Sequence, residues 1–148
     1  MRFNNNLLLI ASFLGVATAL RRGCRVDNSG AAGTSGTGFY TFTANDRLDA
    51  VAADFCSNEG NLRNLNPGVS FSAGTFIRVP CKVRQRDCAK IPNSSNGYYK
   101  IVSGDQLRFI ADDFCTSTTV LQNMNSDVIK NINAIFPDDI LQVPCAWN

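Results

Sequence analysis

The sequence predicts an α+β protein of two tandem, disulfide-stabilised modules, each running strand, helix, helix, strand. Three observations predict it. Tyr40 to Cys56, YTFTANDRLDAVAADFC, returns as Tyr99 to Cys115, YKIVSGDQLRFIADDFC, at an offset of 59 (99 − 40), and self-similarity at a fixed period marks a repeated structural unit. Within each copy the apolar side chains recur at helical spacing. The chain also holds 6 cysteines and no histidine behind an apolar leader.

The repeat is close. Tyr40/Tyr99, Asp46/Asp105, Leu48/Leu107, Ala52/Ala111, Asp54/Asp113, Phe55/Phe114 and Cys56/Cys115 are identical, and the register continues through Leu62/Leu121, Asn64/Asn123 and Asn66/Asn125. Each copy closes on Val-Pro-Cys, at 79–81 and 143–145, where the offset is 64 (145 − 81). The second copy therefore has 5 extra residues (64 − 59), all between Asn125 and Val143.

The elements follow in order. Residues 1–19 read as a signal peptide, with Arg2, an apolar run from Leu7 to Val16 and Ala17-Thr18-Ala19 as the cleavage site. The run is shorter than the roughly 20 residues a membrane span needs, so no membrane attachment is expected and the mature protein is placed outside the cell. Arg21-Arg22 reads either as a dibasic processing site or as two exposed arginines. Residues 20–38 form a Gly/Ser/Thr-rich arm. Phe39 to Thr43 is strand-like. Asn45 or Asp46 then caps a helix on which Leu48, Val51, Ala52 and Phe55 share one face, as Leu107, Ile110, Ala111 and Phe114 do after Asp105.

A second helix is expected over about residues 58–65, stopped by Asn66-Pro67-Gly68, with its counterpart over about 118–124. Phe76 to Val79 and Ile140 to Val143 are apolar stretches ending at proline, which suits edge strands. The first module spans 39–81 and the second 98–145, joined by a linker, 82–97, and followed by a tail, 146–148. The linker holds Lys82, Arg84 and Arg86, read as a solvated cluster, and one N-glycosylation sequon at Asn93.

Composition narrows the chemistry. Six cysteines in a short exported chain point to three disulfides rather than metal or redox work. Without histidine the commonest zinc ligand and the usual base of serine and cysteine nucleophiles are missing, and no cofactor or metal is expected. The net charge of +2 is too small to draw a polyanion, so nucleic acid is not an expected partner. A neutral ligand fits better.

Tyr99 to Ala111, followed by a Leu-x-x-Met-Asn stretch and Leu-Gln-Val-Pro, resembles a LysM domain. The first copy resembles it through Leu48, Ala52, Leu62 to Pro67, Ala73-Gly74-Thr75 and Ile77 to Pro80. The resemblance implies a βααβ fold, two helices on a two-stranded antiparallel sheet, and binding of N-acetylglucosamine polymers, chitin or peptidoglycan, in a groove between the loop after the first strand and the loop after the second helix. Carried over by position, the first groove comprises Asn45, Asp46, Arg47, Asp49, Pro67, Gly68, Val69 and Ser70. The second comprises Gly104, Asp105, Gln106, Arg108, Ser126, Asp127, Val128 and Ile129. The family's Gly-Asp-Thr is Asn45-Asp46-Arg47 in one copy and Gly104-Asp105-Gln106 in the other, and its Asn-Pro is Asn125-Ser126 in the second, where the 5 extra residues (64 − 59) remodel one wall. Gly68 and Gly104 also read as plain turn residues.

A secreted chain of two such copies is similar to fungal LysM effectors. That resemblance implies non-catalytic binding of chitin or chitooligosaccharides, either sequestering fragments from a host immune receptor or shielding hyphal walls from chitinases, with ligand-induced self-association as an open option. Two other readings stand beside it. A glycosidase would need two carboxylates, drawn from Glu59, the only glutamate, and Asp138-Asp139. A disulfide-rich inhibitor of a host protein would use Trp147 or Tyr98-Tyr99 as anchors.

Six cysteines allow 15 connectivities. The implied fold gathers Cys24, Cys56 and Cys81 at one end of the first module, and Cys88, Cys115 and Cys145 at one end of the second. The preferred set is Cys24–Cys81, Cys56–Cys88 and Cys115–Cys145. Its rival keeps Cys24–Cys81, pairs Cys88 with Cys145 and joins Cys56 to Cys115.

Overall fold

The computed structural model describes residues 21–82 and 84–146. The signal-peptide reading and Trp147 lie outside them. The described chain divides into two compact units, Arg21–Gln85 and Arg86–Cys145. In the first, β1 (Arg25–Val26) and β2 (Thr37–Thr41) precede α1 (Leu48–Asp54), α2 (Glu59–Leu65) and β3 (Phe76–Pro80). The second repeats that order with β4 (Ala89–Lys90), β5 (Asn96–Lys100), α3 (Leu107–Asp113), α4 (Thr118–Met124) and β6 (Ile140–Pro144).

Each sheet has three antiparallel strands, ordered β1-β2-β3 and β4-β5-β6. The third strand corrects the expected two-stranded sheet. It comes from segments read as an arm and a linker: Arg25 pairs with Phe39 and Ala89 with Tyr98. Two residues are too few to show a period of two, so nothing in their sequence separates them from coil.

Side chains alternate across the sheets as the pleat requires. Tyr40 pairs with Ile77 and Gly38 with Val79, and in the second unit Tyr99 pairs with Leu141 and Gly97 with Val143. Ile77, Val79, Leu141 and Val143 are fully buried, against Val51, Phe55 and Leu62 in one unit and Ile110, Phe114 and Leu121 in the other. Gly38 and Gly97 sit where the middle strand passes beneath a disulfide. A Cβ on Gly38 would come within 2.7 Å of the Cys81 sulfur and 2.4 Å of the Arg25 carbonyl oxygen, and one on Gly97 within 2.8 Å of Cys145. Only glycine lets strand and disulfide occupy that space.

The helix ends repeat as well. The side chain of Asn58 caps α2 by accepting from the Asn61 amide at 2.9 Å, and Ser117 caps α4 through Val120 at 3.2 Å. The first helices differ from expectation. Their N-cap positions are Arg47 and Gln106, neither of which caps with its side chain. At their C-termini the Ser57 amide donates to the Ala52 carbonyl at 2.8 Å and the Cys56 amide to that of Ala53 at 3.1 Å. This is a Schellman closure, with Cys56 at φ 49° and Cys115 at φ 57° in the position glycine usually takes.

The disulfides require a second correction. Cys24 is bonded to Cys81 and Cys88 to Cys145, each across a separation of 57 residues. Cys24–Cys81, common to both sets, holds, while the preferred pairing of Cys56 with Cys88 and of Cys115 with Cys145 is overturned by Cys88–Cys145, the bond of the rival set. Cys56 and Cys115 are disulfide-bonded too, and no cysteine is free. The physical reason is the third strand. It carries Cys24 and Cys88 to the close of β3 and β6, beside Cys81 and Cys145, whereas Cys56 and Cys115 are exposed at the helix ends.

Candidate functional site

The loop between the middle strand and the first helix is built in the same way in both units. In the first, the Asp46 carboxylate accepts from the Tyr40 hydroxyl at 2.5 Å, the Thr43 amide at 2.7 Å and Arg22 Nε at 2.8 Å. In the second, Asp105 accepts from the Tyr99 hydroxyl at 2.6 Å, the Val102 amide at 3.0 Å and Arg86 Nη2 at 2.6 Å. The aspartates expected to cap the helices instead tether the loop to the strand. Burial alone would raise their pKa values. The tyrosine, amide and guanidinium donors outweigh it and hold both carboxyls below the ordinary 3.8.

Arg86, read from sequence as part of a solvated cluster, has a side chain only 13% exposed and also reaches Asp113 at 2.7 Å. Arg22 does the same for Asp54, with its backbone N–H at 2.7 Å and its Nη1 at 3.5 Å. Asp54 is buried and its carboxyl is pushed up by that burial, against the pull of the Arg22 amide and the nearby arginines. Sequence reasoning missed these arginines, although the signal was present. Arg-x-Cys recurs at 22–24 and 86–88, at an offset of 64 (86 − 22) rather than 59.

These shifts set a pH window. The lowered Asp46 and Asp105 values mean that their contribution to stability is complete above about pH 4 and lost as the pH falls through the depressed folded-state values. Asp54, with its raised value, acts in the opposite sense: its protonation on acidification relieves the cost of burying a charge. The Tyr40 and Tyr99 hydroxyls are pushed up to about 12, by burial first and then by their bonds to Asp46 and Asp105. Their contribution is complete below pH 10.0, the ordinary tyrosine value, and lost as the pH rises toward 12. Melting temperatures across pH should therefore fall above pH 10.0 and below about 4, with a gain on acidification toward about 4 as Asp54 takes up its proton. A melting temperature that keeps climbing above pH 10.0 would contradict the tyrosine assignment.

The remaining expected site residues are distributed unevenly. Asn45, Arg47, Asp49, Pro67, Gly68 and Ser70 are exposed, while Val69 packs against the first core. Arg47 is paired with Asp49 at 2.7 Å. In the second unit Gly104 turns the loop at φ 90° with open space around it, and Gly68 turns at φ 74°. A cleft of about 430 Å³ opens beside the former loop, lined by Asp105, Gln106, Leu107 and Arg108 on one side, with Thr118. Its other side is Ile132, Asn133 and Ile135.

Those three residues were not among the expected ones. Ser126, Asp127 and Val128 are exposed but do not line this cleft, and the Ile129 side chain is 1% exposed and belongs to the core. The longer second-unit loop supplies the wall, pinned by a bridge between Asn131 and Ala134. Its apolar residues, Ile132 and Ile135, were the available signal. Among the carboxylates a glycosidase would need, Glu59 pairs with Arg63 at 3.6 Å and Asp138 with Lys100 at 2.7 Å, all of them exposed. No group of side chains suited to a metal ion occurs among the described residues. Asn93 is exposed in the β4–β5 turn, at φ 58°.

A short antiparallel sheet with two helices between its paired strands is the arrangement expected of the LysM class, and the family model for the LysM domain matches residues 99–144. The chain is also similar to the secreted LysM effector Vd2LysM of Verticillium dahliae, being 42% identical over 147 residues, which cover 95% of this chain and 96% of that one. The chain belongs to the secreted LysM effector family. Its oxidised cysteines agree with an extracellular location.

Proposed function

We propose that the protein is a non-catalytic lectin for chitin and its N-acetylglucosamine oligomers, that both units are LysM modules, and that the second-unit cleft is the principal site. The cleft carries the proposal. Its volume of about 430 Å³ is within the usual range for small-ligand sites. Its lining suits an acetamide: Ile132 and Ile135 offer apolar surface to the methyl group, while Gln106 and Asn133 offer amides to its N–H and C=O. In the first unit Asn45, Arg47, Asp49, Pro67, Gly68 and Ser70 form the weaker counterpart, with Arg47 paired to Asp49. Membership of the effector family and the paired, exposed state of Glu59 and Asp138 support binding without catalysis. The biological consequence proposed is sequestration of chitin fragments from immune receptors or protection of hyphal walls, with self-association on the polymer.

Calorimetry with chitohexaose tests this, with peptidoglycan fragments and cellohexaose as comparison ligands. Binding to the chitin oligomer alone is expected. Ile132 is 43% exposed, so Ile132→Asp should leave the melting temperature unchanged while weakening binding about tenfold, the scale of one lost apolar contact. No heat with chitohexaose would remove the lectin reading. Binding to peptidoglycan instead would move the ligand class.

A further inference from the structure

We infer that Arg22 and Arg86 are positioning residues for the ligand loops, a role that rests on the proposal that those loops bind sugar. Each guanidinium ties a loop aspartate to an aspartate in the last turn of the first helix. Arg86 spans Asp105 at 2.6 Å and Asp113 at 2.7 Å, and Arg22 spans Asp46 at 2.8 Å and Asp54 at 3.5 Å. The same carboxylates hold the Val102 and Thr43 amides, so the arginine fixes where the loop starts relative to the helix that follows it. Arg86 is not itself a lining residue of the second-unit cleft, but it is bonded to one that is, Asp105. Each acts through its aspartate.

Two observations support the assignment independently of each other. The geometry occurs twice in one chain on matching partners. In addition, Arg-x-Cys is displaced by 64 residues (86 − 22) while the loop and helix it serves are displaced by 59 (105 − 46). The arginine therefore kept its partners although the spacing between them changed. A planar guanidinium can serve two carboxylates at once through separate N–H groups. A lysine ammonium is a compact point charge and cannot reproduce that fork.

The test uses the full secreted chain with Arg86→Lys and, separately, Arg86→Gln, reading amide hydrogen exchange and chitohexaose affinity together. The Val102 amide is expected to exchange about tenfold faster and affinity to fall about tenfold, the scale of one charge-assisted hydrogen bond. Exchange at Leu121 in the second core, and at Thr43 in the first unit, should stay unchanged. Arg22→Lys should give the reciprocal pattern, with Thr43 accelerated and Val102 unaffected.

The inference is overturned if both Arg86 variants keep wild-type exchange at Val102 and wild-type affinity. It is equally overturned if both lose protection at Leu121, because the arginine then holds the whole unit rather than its loop. Should the unaltered protein show no chitohexaose binding, the lectin reading fails by itself, and exchange at Val102 against Leu121 still decides what Arg86 holds.

Discussion

Removing the Cys88–Cys145 bond, by replacing both cysteines with alanine, should destabilise the second unit by about 4 kcal/mol, since the bond closes a loop of 57 residues in the unfolded chain. Cys88 is 1% exposed and Cys145 is 0% exposed, so lost packing adds to the entropic effect. Alanine avoids the further penalty of two buried hydroxyls. Guanidinium denaturation of the oxidised double variant checks this, with the midpoint expected to move far down and the slope to rise as the unfolded state expands. The matching change at Cys24 and Cys81, which are less buried, should cost less. A loss under about 1 kcal/mol at Cys88 and Cys145 would mean that the disulfide only decorates a self-sufficient fold.

Asn125→Asp is expected to be nearly as damaging, at about 3 kcal/mol, because it keeps the side chain's shape but turns two buried donors into an acceptor. The Asn125 amide nitrogen donates to the Leu121 and Gln142 carbonyls, both at 2.8 Å, and its oxygen accepts from the Gln142 amide at 2.7 Å. One buried side chain thus joins the end of α4 to the middle of β6. Asn66 makes the same three bonds to Leu62 and Arg78, so Asn66→Asp should reproduce the loss in the first unit. Thermal melts of the two variants measure it. If Asn125→Asp melted like the unaltered protein, that polar link would be incidental.

The helices were legible because their apolar residues repeat at 3 and 4 and their caps obey local rules. Asn58 and Ser117 cap α2 and α4 within three residues of themselves, and no distant partner is needed to predict that. Asp46 was not legible in the same way. An aspartate just ahead of a helix satisfies backbone N–H groups either by capping forward or by tethering back, and the choice here depends on Arg22, 24 residues upstream. The pairing of Cys24 with Cys81 was anticipated, but that of Cys88 was not, because it follows from a two-residue strand that leaves no period in the sequence. The lining of the candidate cleft was half legible: Asp105, Gln106 and Arg108 are among the residues the LysM resemblance implies, while Ile132, Asn133 and Ile135 lie in the stretch where the repeat breaks, so position in the first copy says nothing about them.

The shortness of β1 and β4 also governs how this protein can be dissected. Each lies along the outer side of β2 or β5 and occupies backbone groups that would otherwise offer a template to another chain. A fragment cut at Phe39 would lose Cys24 and Arg22 together with that cover, leaving a bare strand margin beside an unpaired Cys81 thiol. Such a fragment should clump through strand-to-strand addition and mixed disulfides, whereas one beginning at Arg21 keeps its own guard strand.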